Sequence, residues 1–317
     1  AAGLAPCRPS ARHGRNRTPD MTTLKDLKAQ MLAKPAIAAE YAAQAAAFAA
    51  ARESIAAHPI AEHARAEIEQ RLAALEAEHG IRILYACESG SRAWGFASPD
   101  SDYDVRFIYA QPLAWYLQVS PQRDVIELPI SAELDISGWE LRKALALLKK
   151  GNATLVEWLD SPVVYRADAA FLAAMQSAAQ QTHQPQRSFH HYLHMARKNY
   201  REHLQGETVR LKKYLYVLRP LLAALWLEQG RGLVPMRFEV LLDAMVTAPD
   251  LHATITQLLA RKRQALEAER GAALPIINAF IEAELSRLEA SPAPATTAPD
   301  WALLDQLLLQ TVLQSAA

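Results

Sequence analysis

Apolar positions along the chain follow two different periods, and the change between them divides the sequence into regions. Over residues 22–80, apolar residues recur at helical spacing among Ala, Leu, Glu and Lys. Over residues 81–166, short β-branched and apolar runs alternate with turns, which is typical of strands. After residue 166 nearly every segment returns to the 3.6-residue period. The pattern therefore predicts helices, then a sheet, then helices again.

These periods predict an α/β protein of the α+β kind, with a small mixed-sheet core and an all-helical second domain. Strands are expected over 81–87, 103–110, 124–128, 132–136 and 162–165. We expect five regions: a disordered extension over 1–20, N-terminal helices over 21–80, the strand-bearing core over 81–166, the helical domain over 167–290, and a linker with a C-terminal helix over 291–317.

Composition excludes several classes of protein. Thirty-four basic and thirty-four acidic residues balance, so any polyanion must bind through a local surface. The two cysteines, Cys7 and Cys87, lie too far apart in sequence to suggest a disulfide framework or a Cys-based zinc site, which favours a reducing, cytoplasmic location. No apolar run approaches the ~20 residues that span a bilayer, so we expect no membrane partner. A protein partner is not predicted either way.

Two closely spaced aspartates give the first chemical signal. Asp102 and Asp104 are two residues apart at the start of an expected strand, so their side chains would share one face. Adjacent carboxylates repel unless a proton or a cation lies between them. Hard oxygen ligands of this kind suit Mg²⁺ or Mn²⁺, and a pair of such ions ~4 Å apart serves phosphoryl transfer. The pair therefore predicts a two-metal site that also binds phosphate oxygens.

A third carboxylate on a neighbouring strand would complete such a site. Asp135 is the first choice because apolar residues flank it in an expected strand. Glu127 has a similar setting and is the alternative. Glu133 shares the face of Asp135 but lies nearer the start of its strand, so it ranks third. As a catalytic residue, Asp135 would help to deprotonate the incoming hydroxyl. Its structural alternative is capping of the helix expected near Gly138.

A turn upstream of the aspartates has the features of a phosphate-binding loop. Gly90 and Ser91 follow an expected strand, where glycine allows close approach of the backbone and the serine and its amide can donate to phosphate oxygens. Arg92 adds a positive charge that could contact phosphate or pair with a surface carboxylate. No Lys-Ser/Thr pair follows Gly95, so this is not a Walker loop.

The spacing of these motifs resembles the polymerase-beta-like nucleotidyltransferase superfamily: Gly90-Ser91, ten intervening residues, then Asp102-Tyr103-Asp104 and a later isolated acidic residue. More narrowly, the chain over about 81–242 resembles the bacterial and phage predicted nucleotidyltransferases associated with RNA repair. This resemblance implies a nucleoside triphosphate, ATP first, bound at Gly90 and Ser91. It also implies Mg²⁺ at Asp102 and Asp104, with Asp135 as the third carboxylate.

The helical half carries basic residues that could face this site. Lys212 and Lys213 begin an expected helix next to tyrosines, and the family resemblance favours their contact with the triphosphate or with RNA. Solvated helix faces are the alternative. We expect transfer of a nucleoside monophosphate to a hydroxyl, first of all at an RNA end. A protein or small-molecule acceptor, and an antitoxin-like regulatory protein without turnover, remain alternatives.

Overall fold

The computed structural model describes residues 60–130, 133–264, 269–296 and 299–314. The extension expected over 1–20 and the helices expected over 21–59 lie outside these residues. The strands are β1 (Arg82–Glu88), β2 (Tyr103–Ala110), β3 (Val125–Glu127), β4 (Leu134–Glu140), β5 (Val164–Ala167), β6 (Thr208–Arg210) and β7 (Arg270–Ala272). The helices are α1 (Glu62–His79), α2 (Gly90–Trp94), α3 (Leu113–Tyr116), α4 (Leu141–Lys149), α5 (Ala153–Leu159), α6 (Ala169–Gln181), α7 (Pro185–His203), α8 (Lys212–Glu228), α9 (Phe238–Met245), α10 (Pro249–Gln264), α11 (Pro275–Ala290) and α12 (Ala302–Gln314).

Five strands form one mixed sheet in the order β3-β4-β2-β1-β5. β2 and β4 run parallel, and the other neighbouring pairs are antiparallel. The parallel pairing brings the first residues of β2 and β4 to the same edge of the sheet. Its register sets Asp104 directly opposite Asp135.

Helices cover both faces of this sheet. On one face, Ile68 and Leu72 of α1 pack with Val105, Phe107 and Ile136. On the other face, α4, α5, α6 and α12 pack against the side chains of β1 and β2 that point the opposite way. This alternation follows from the two-residue period of a strand. The mixed sheet and the helical remainder confirm the predicted fold class.

The helical half is built around α8. Its residues from Tyr214 to Leu227 are mostly buried, and α7 packs along it. The same core includes Phe96, which follows α2, and Phe238 of α9. The helical half therefore packs directly on the segment that follows the Gly90-Ser91 turn.

One short sheet departs from the all-helical prediction for this half. Residues 208–210, expected to begin the helix of α8, instead pair antiparallel with residues 270–272. Val209 is buried in the pair. Because residue 271 is a glycine, the side chain of Leu211 can pack close to it: a Cβ at residue 271 would lie 3.1 Å from that side chain. β-branched residues at 208 and 209 favour the strand, whereas the helical period of the segment after them dominated the prediction.

The longest apolar helices contribute to these cores. Among the residues that the structure describes, no helix combines the length and hydropathy needed to cross a membrane.

Candidate active site

The turn between β1 and α2 brings the backbone against an aspartate. Gly90 has a φ of +60°, which favours glycine. A Cβ at this position would lie 2.0 Å from Asp104 Oδ2. The amide of Ser89 donates to the carbonyl of Asp104 at 2.8 Å. The turn and the aspartate therefore fit together only because residue 90 has no side chain.

A buried glutamate at the end of β1 also contacts Asp104. Glu88 accepts hydrogen bonds from the amide of Asp104 at 2.9 Å and from the hydroxyl of Tyr165 at 2.5 Å. Burial raises the pKa of Glu88 to about 7. The sequence interpretation missed Glu88, although a lone acidic residue ending an apolar strand just before the Gly-Ser turn was a usable signal.

Asp104 and Asp135 lie side by side on the parallel pair of strands. Arg106 donates from Nη2 to Asp104 Oδ1 at 3.1 Å and to Asp135 Oδ2 at 2.7 Å. Burial raises the pKa of Asp104, and the charges of Asp135 and Asp102 raise it further, while Arg106 opposes them. Asp135 does not cap a helix, since Glu140 is the residue that caps α4 by accepting from the amide of Lys143.

Asp102 occupies a different local setting from the one expected. β2 begins at Tyr103, so Asp102 precedes the strand and is exposed. Strand alternation therefore does not fix its direction. Its charge nevertheless acts on Asp104, because it helps to raise the pKa of that carboxyl.

The alternative third carboxylates lie elsewhere. Glu127 is on the edge strand β3, opposite Ser137, and pairs with Arg123 at 3.3 Å on the surface. Glu133 is exposed and precedes β4, where its carbonyl accepts from the amide of Tyr103. Of the three candidates, Asp135 is the one that Arg106 joins to Asp104.

Arg92 holds the loop that leads to Asp102. Its guanidinium donates to the carbonyls of Ser101 at 2.5 Å and Asp102 at 3.1 Å. The same group stacks 3.9 Å from the centre of the Tyr103 ring. Ser91 is buried, and its carbonyl accepts from the amide of Phe96 at 3.0 Å. In this structure Arg92 positions the loop that leads to Asp102. The contact of Arg92 with phosphate stays a prediction.

Cations from the helical half also hold this loop. Lys262 donates to Ser98 Oγ at 2.8 Å, and Arg263 donates twice to the carbonyl of Gly95, at 2.6 and 3.0 Å. Lys262 is buried although it is charged. These residues of α10 were not predicted, since 150 residues or more of sequence separate them from the loop that they contact.

Lys212 and Lys213 lie at the start of α8, near the same loop. Lys212 lines a small cavity together with Lys262. The ammonium of Lys213 lies 5.3 Å from the ring centre of Tyr216, which packs edge-on against Trp94 at 5.7 Å. Tyr216 therefore lies between Lys213 and α2, and Lys262 lies between Lys212 and the turn before Asp102. Their contact with a nucleotide stays a prediction.

The carboxylates fit a divalent cation by their chemistry. Oxygens of Asp104 and Asp135, with Asp102 beside them, are the donors that Mg²⁺ and Mn²⁺ prefer. A cationic group, the Arg106 guanidinium, already lies between two of them. Within the described residues, no three His, Cys, Asp or Glu side chains are gathered closely enough to enclose an ion.

A Gly-Ser turn after one strand, an aspartate at the start of the next, and a further carboxylate on its parallel neighbour define the core of a polymerase-beta-like nucleotidyltransferase. The chain belongs to the RNA repair pathway DNA polymerase beta family, whose model matches residues 64–310. The resemblance expected from the motifs is thereby confirmed, and the family implies a nucleoside triphosphate as substrate.

Two other comparisons accompany the family match. The chain is 46% identical over 240 residues to the uncharacterized protein YcgL of Bacillus subtilis (strain 168), an alignment that covers 75% of this chain and 92% of that protein. A crystal structure of a nucleotidyltransferase-like protein from Exiguobacterium sibiricum 255-15 matches 78% of this chain and 89% of its own. Its identity is 11% and its TM-score is 0.28.

Proposed function

We propose that this protein transfers a nucleoside monophosphate from a nucleoside triphosphate, ATP first, to a hydroxyl acceptor. The observation that carries the proposal is the in-register placement of Asp104 and Asp135 on parallel strands, with Gly90 packed against Asp104. Two carboxylates next to a phosphate-binding turn suit a reaction in which negative charge must be neutralised during transfer.

Each group then has a defined task in the proposed reaction. The triphosphate lies on the turn at Gly90 and Ser91, where the first amides of α2 have no partner within the helix. Asp102, Asp104 and Asp135 would hold Mg²⁺ or Mn²⁺, two ions by family resemblance, which supply positive charge to the phosphate oxygens. Asp135 accepts the proton of the acceptor hydroxyl. The hydroxyl oxygen bonds to the α-phosphorus, the bond to the β-phosphate oxygen breaks, and pyrophosphate leaves.

A basic face on α7 supports RNA as the acceptor. Between residues 185 and 219 the chain has eight Lys and Arg residues and two acidic ones, although the whole chain is balanced. Five exposed residues recur every three or four positions along α7 and so share one face of the helix. This α7 basic face comprises the cations Arg187, Lys198 and Arg201, with His191 and His194 between them.

The helix that carries the α7 basic face contacts the candidate active site through buried groups. Tyr192 of α7 donates to Glu157 at 2.5 Å. Glu157 in turn accepts from the indole of Trp94, the last residue of α2, at 3.4 Å. A local positive surface next to a nucleotide site favours a polyanionic acceptor over a neutral metabolite.

The test is transfer of label from each α-³²P-labelled NTP, with Mg²⁺ or Mn²⁺, to total RNA, total protein or a metabolite extract. We expect labelled RNA with the wild type and none with Asp104→Asn. The double variant Lys198→Glu/Arg201→Glu is expected to lose RNA labelling while retaining NTP binding. Arg71→Glu, an exposed change on α1, is the matched control.

If protein or a metabolite is labelled instead, that molecule is the acceptor in place of RNA, and the proposed transfer reaction stands. If no acceptor is labelled, and Asp104→Asn leaves the biological effect of the protein intact, the proposal of catalysis is wrong and a regulatory nucleotide-binding role takes its place.

A further inference from the structure

The guanidinium of Arg106 is fixed by four hydrogen bonds at the centre of the candidate active site. Nη1 donates to the carbonyl of Val105 at 3.0 Å and to the carbonyl of Asp135 at 2.8 Å. Nη2 donates to the carboxylates of Asp104 and Asp135. The side chain of Arg106 is 17% exposed, so water screens these contacts only partly.

Strand geometry explains why an arginine two residues after Asp104 reaches both carboxylates. Residues 104 and 106 point to the same face of β2. Arg106 lies opposite Ser137 on β4, two residues along from Asp135, so its long side chain folds back over the shorter aspartates. The Nη2 group then occupies the space between Asp104 Oδ1 and Asp135 Oδ2, which is where a bridging cation would have to bind.

We propose that Arg106 is a built-in counter-cation: it keeps Asp104 and Asp135 facing each other in the absence of metal, and gives up their oxygens when a divalent cation binds. The proposal rests on the proposed function and deepens it, since it assigns a positioning residue to the metal site. A guanidinium and a metal ion compete for the same two oxygens, so Arg106 lowers the affinity for metal while it improves the geometry of the carboxylates.

This competition distinguishes the proposed role of Arg106 from a purely structural one. If Arg106 only braced β2 against β4, its loss would weaken metal binding and stability together. If it is a counter-cation, its loss leaves two uncompensated carboxylates that bind a divalent cation more tightly. Turnover still falls, because the side chain of Asp135 is no longer held beside that of Asp104.

The experiment measures Mn²⁺ binding by calorimetry to the full chain and its variants, with the increase of Tm on adding Mn²⁺ as a second readout. For Arg106→Gln we expect Mn²⁺ affinity to rise on the order of tenfold, by the loss of one nearby positive charge. Its gain in Tm with Mn²⁺ should exceed that of the wild type, and label transfer at saturating Mn²⁺ should drop. Arg106→Lys keeps the charge and should bind Mn²⁺ close to the wild-type affinity.

Arg166→Gln is the matched control, because Arg166 makes a half-buried ion pair with Glu76 at 2.6 Å on the same sheet. It should lower Tm without changing Mn²⁺ affinity. The proposal is overturned if Arg106→Gln binds Mn²⁺ no more tightly than the wild type, or if it is unfolded and stays unfolded in Mn²⁺. If the wild type and both Arg106 variants bind no Mn²⁺ at all, the metal site of the proposed function fails as well, so the two failures are distinguishable.

Discussion

At Gly90 the chain turns with a φ of +60°, and Asp104 Oδ2 fills the space that a Cβ would need. Gly80 has nearly the same φ, +61°, but nothing lies within 4 Å of its Cβ position. Alanine at either residue costs roughly 1 kcal/mol or more in backbone strain. We expect Gly90→Ala to abolish label transfer, because it displaces Asp104 as well.

Gly80→Ala should lower Tm while retaining most of the transfer rate, since no contact is displaced there. The pair is compared by Tm and by initial rate of transfer. Equal loss of transfer in both variants would contradict the assigned role of Gly90.

A second prediction at the scale of one residue concerns Asp160, at the end of α5. Its carboxylate accepts from the amide of Met236 at 2.7 Å, and burial raises its pKa to about 6. An unfolded aspartate titrates near ~3.9, so between about pH 4 and pH 6 the folded state holds more protons than the unfolded state. The contribution of Asp160 to the free energy of unfolding therefore falls as the pH rises through that window.

Asp160→Asn retains an acceptor for Met236 and does not titrate. Relative to the wild type, its free energy of unfolding should improve as the pH rises from 4 to 6. Urea unfolding at several pH values measures this difference. Parallel curves for the two proteins would show that the raised pKa has no energetic consequence.

At the scale of elements, a buried ion pair joins α5 on the sheet to α8 in the helical half. Arg219 donates to Glu157 at 2.8 Å, and Tyr192 donates to the same carboxylate at 2.5 Å. The side chains of Arg219 and Glu157 are 3% and 9% exposed. Arg219→Met would leave Glu157 buried without its cation, which typically costs about 3–5 kcal/mol.

A double-mutant cycle with Glu157→Gln measures this coupling by urea unfolding. The double variant should be clearly more stable than Arg219→Met, because it no longer buries an uncompensated charge. Additive losses would mean that the pair does not couple the two elements.

Sequence periodicity predicted some of these elements and missed others. The strand expected over 103–110 coincides with β2, because polar and apolar residues alternate at its start and the run then stays apolar as far as Ala110. Asp135 was the first choice for its apolar flanks, with Glu127 in a similar setting as the alternative, and the parallel register places Asp135 beside Asp104. The pairing of residues 208–210 with 270–272 was missed, since three-residue strands leave almost no periodic signal.

For the whole molecule, the motifs predicted the fold class and the family, because Gly90, Asp102 and Asp104 lie within fifteen residues of one another. The motifs could not predict contacts between residues that lie far apart in the sequence. Lys262 and Arg263 hold the loop before Asp102 from α10. Only the packing of the helical half on the sheet brings these groups together.

In the proposed reaction, Asp104 and Asp135 act together on a bound nucleoside triphosphate. The single-turnover rate of pyrophosphate release from an NTP in the presence of acceptor RNA, compared between Asp135→Asn and Glu127→Gln, tests this joint action. We expect Asp135→Asn to lower the rate by roughly a hundredfold or more, as for loss of a metal-binding or basic carboxylate. Glu127→Gln should stay within about twofold of the wild type, as a surface substitution away from the site. A wild-type rate for Asp135→Asn, or the larger loss for Glu127→Gln, would contradict this account.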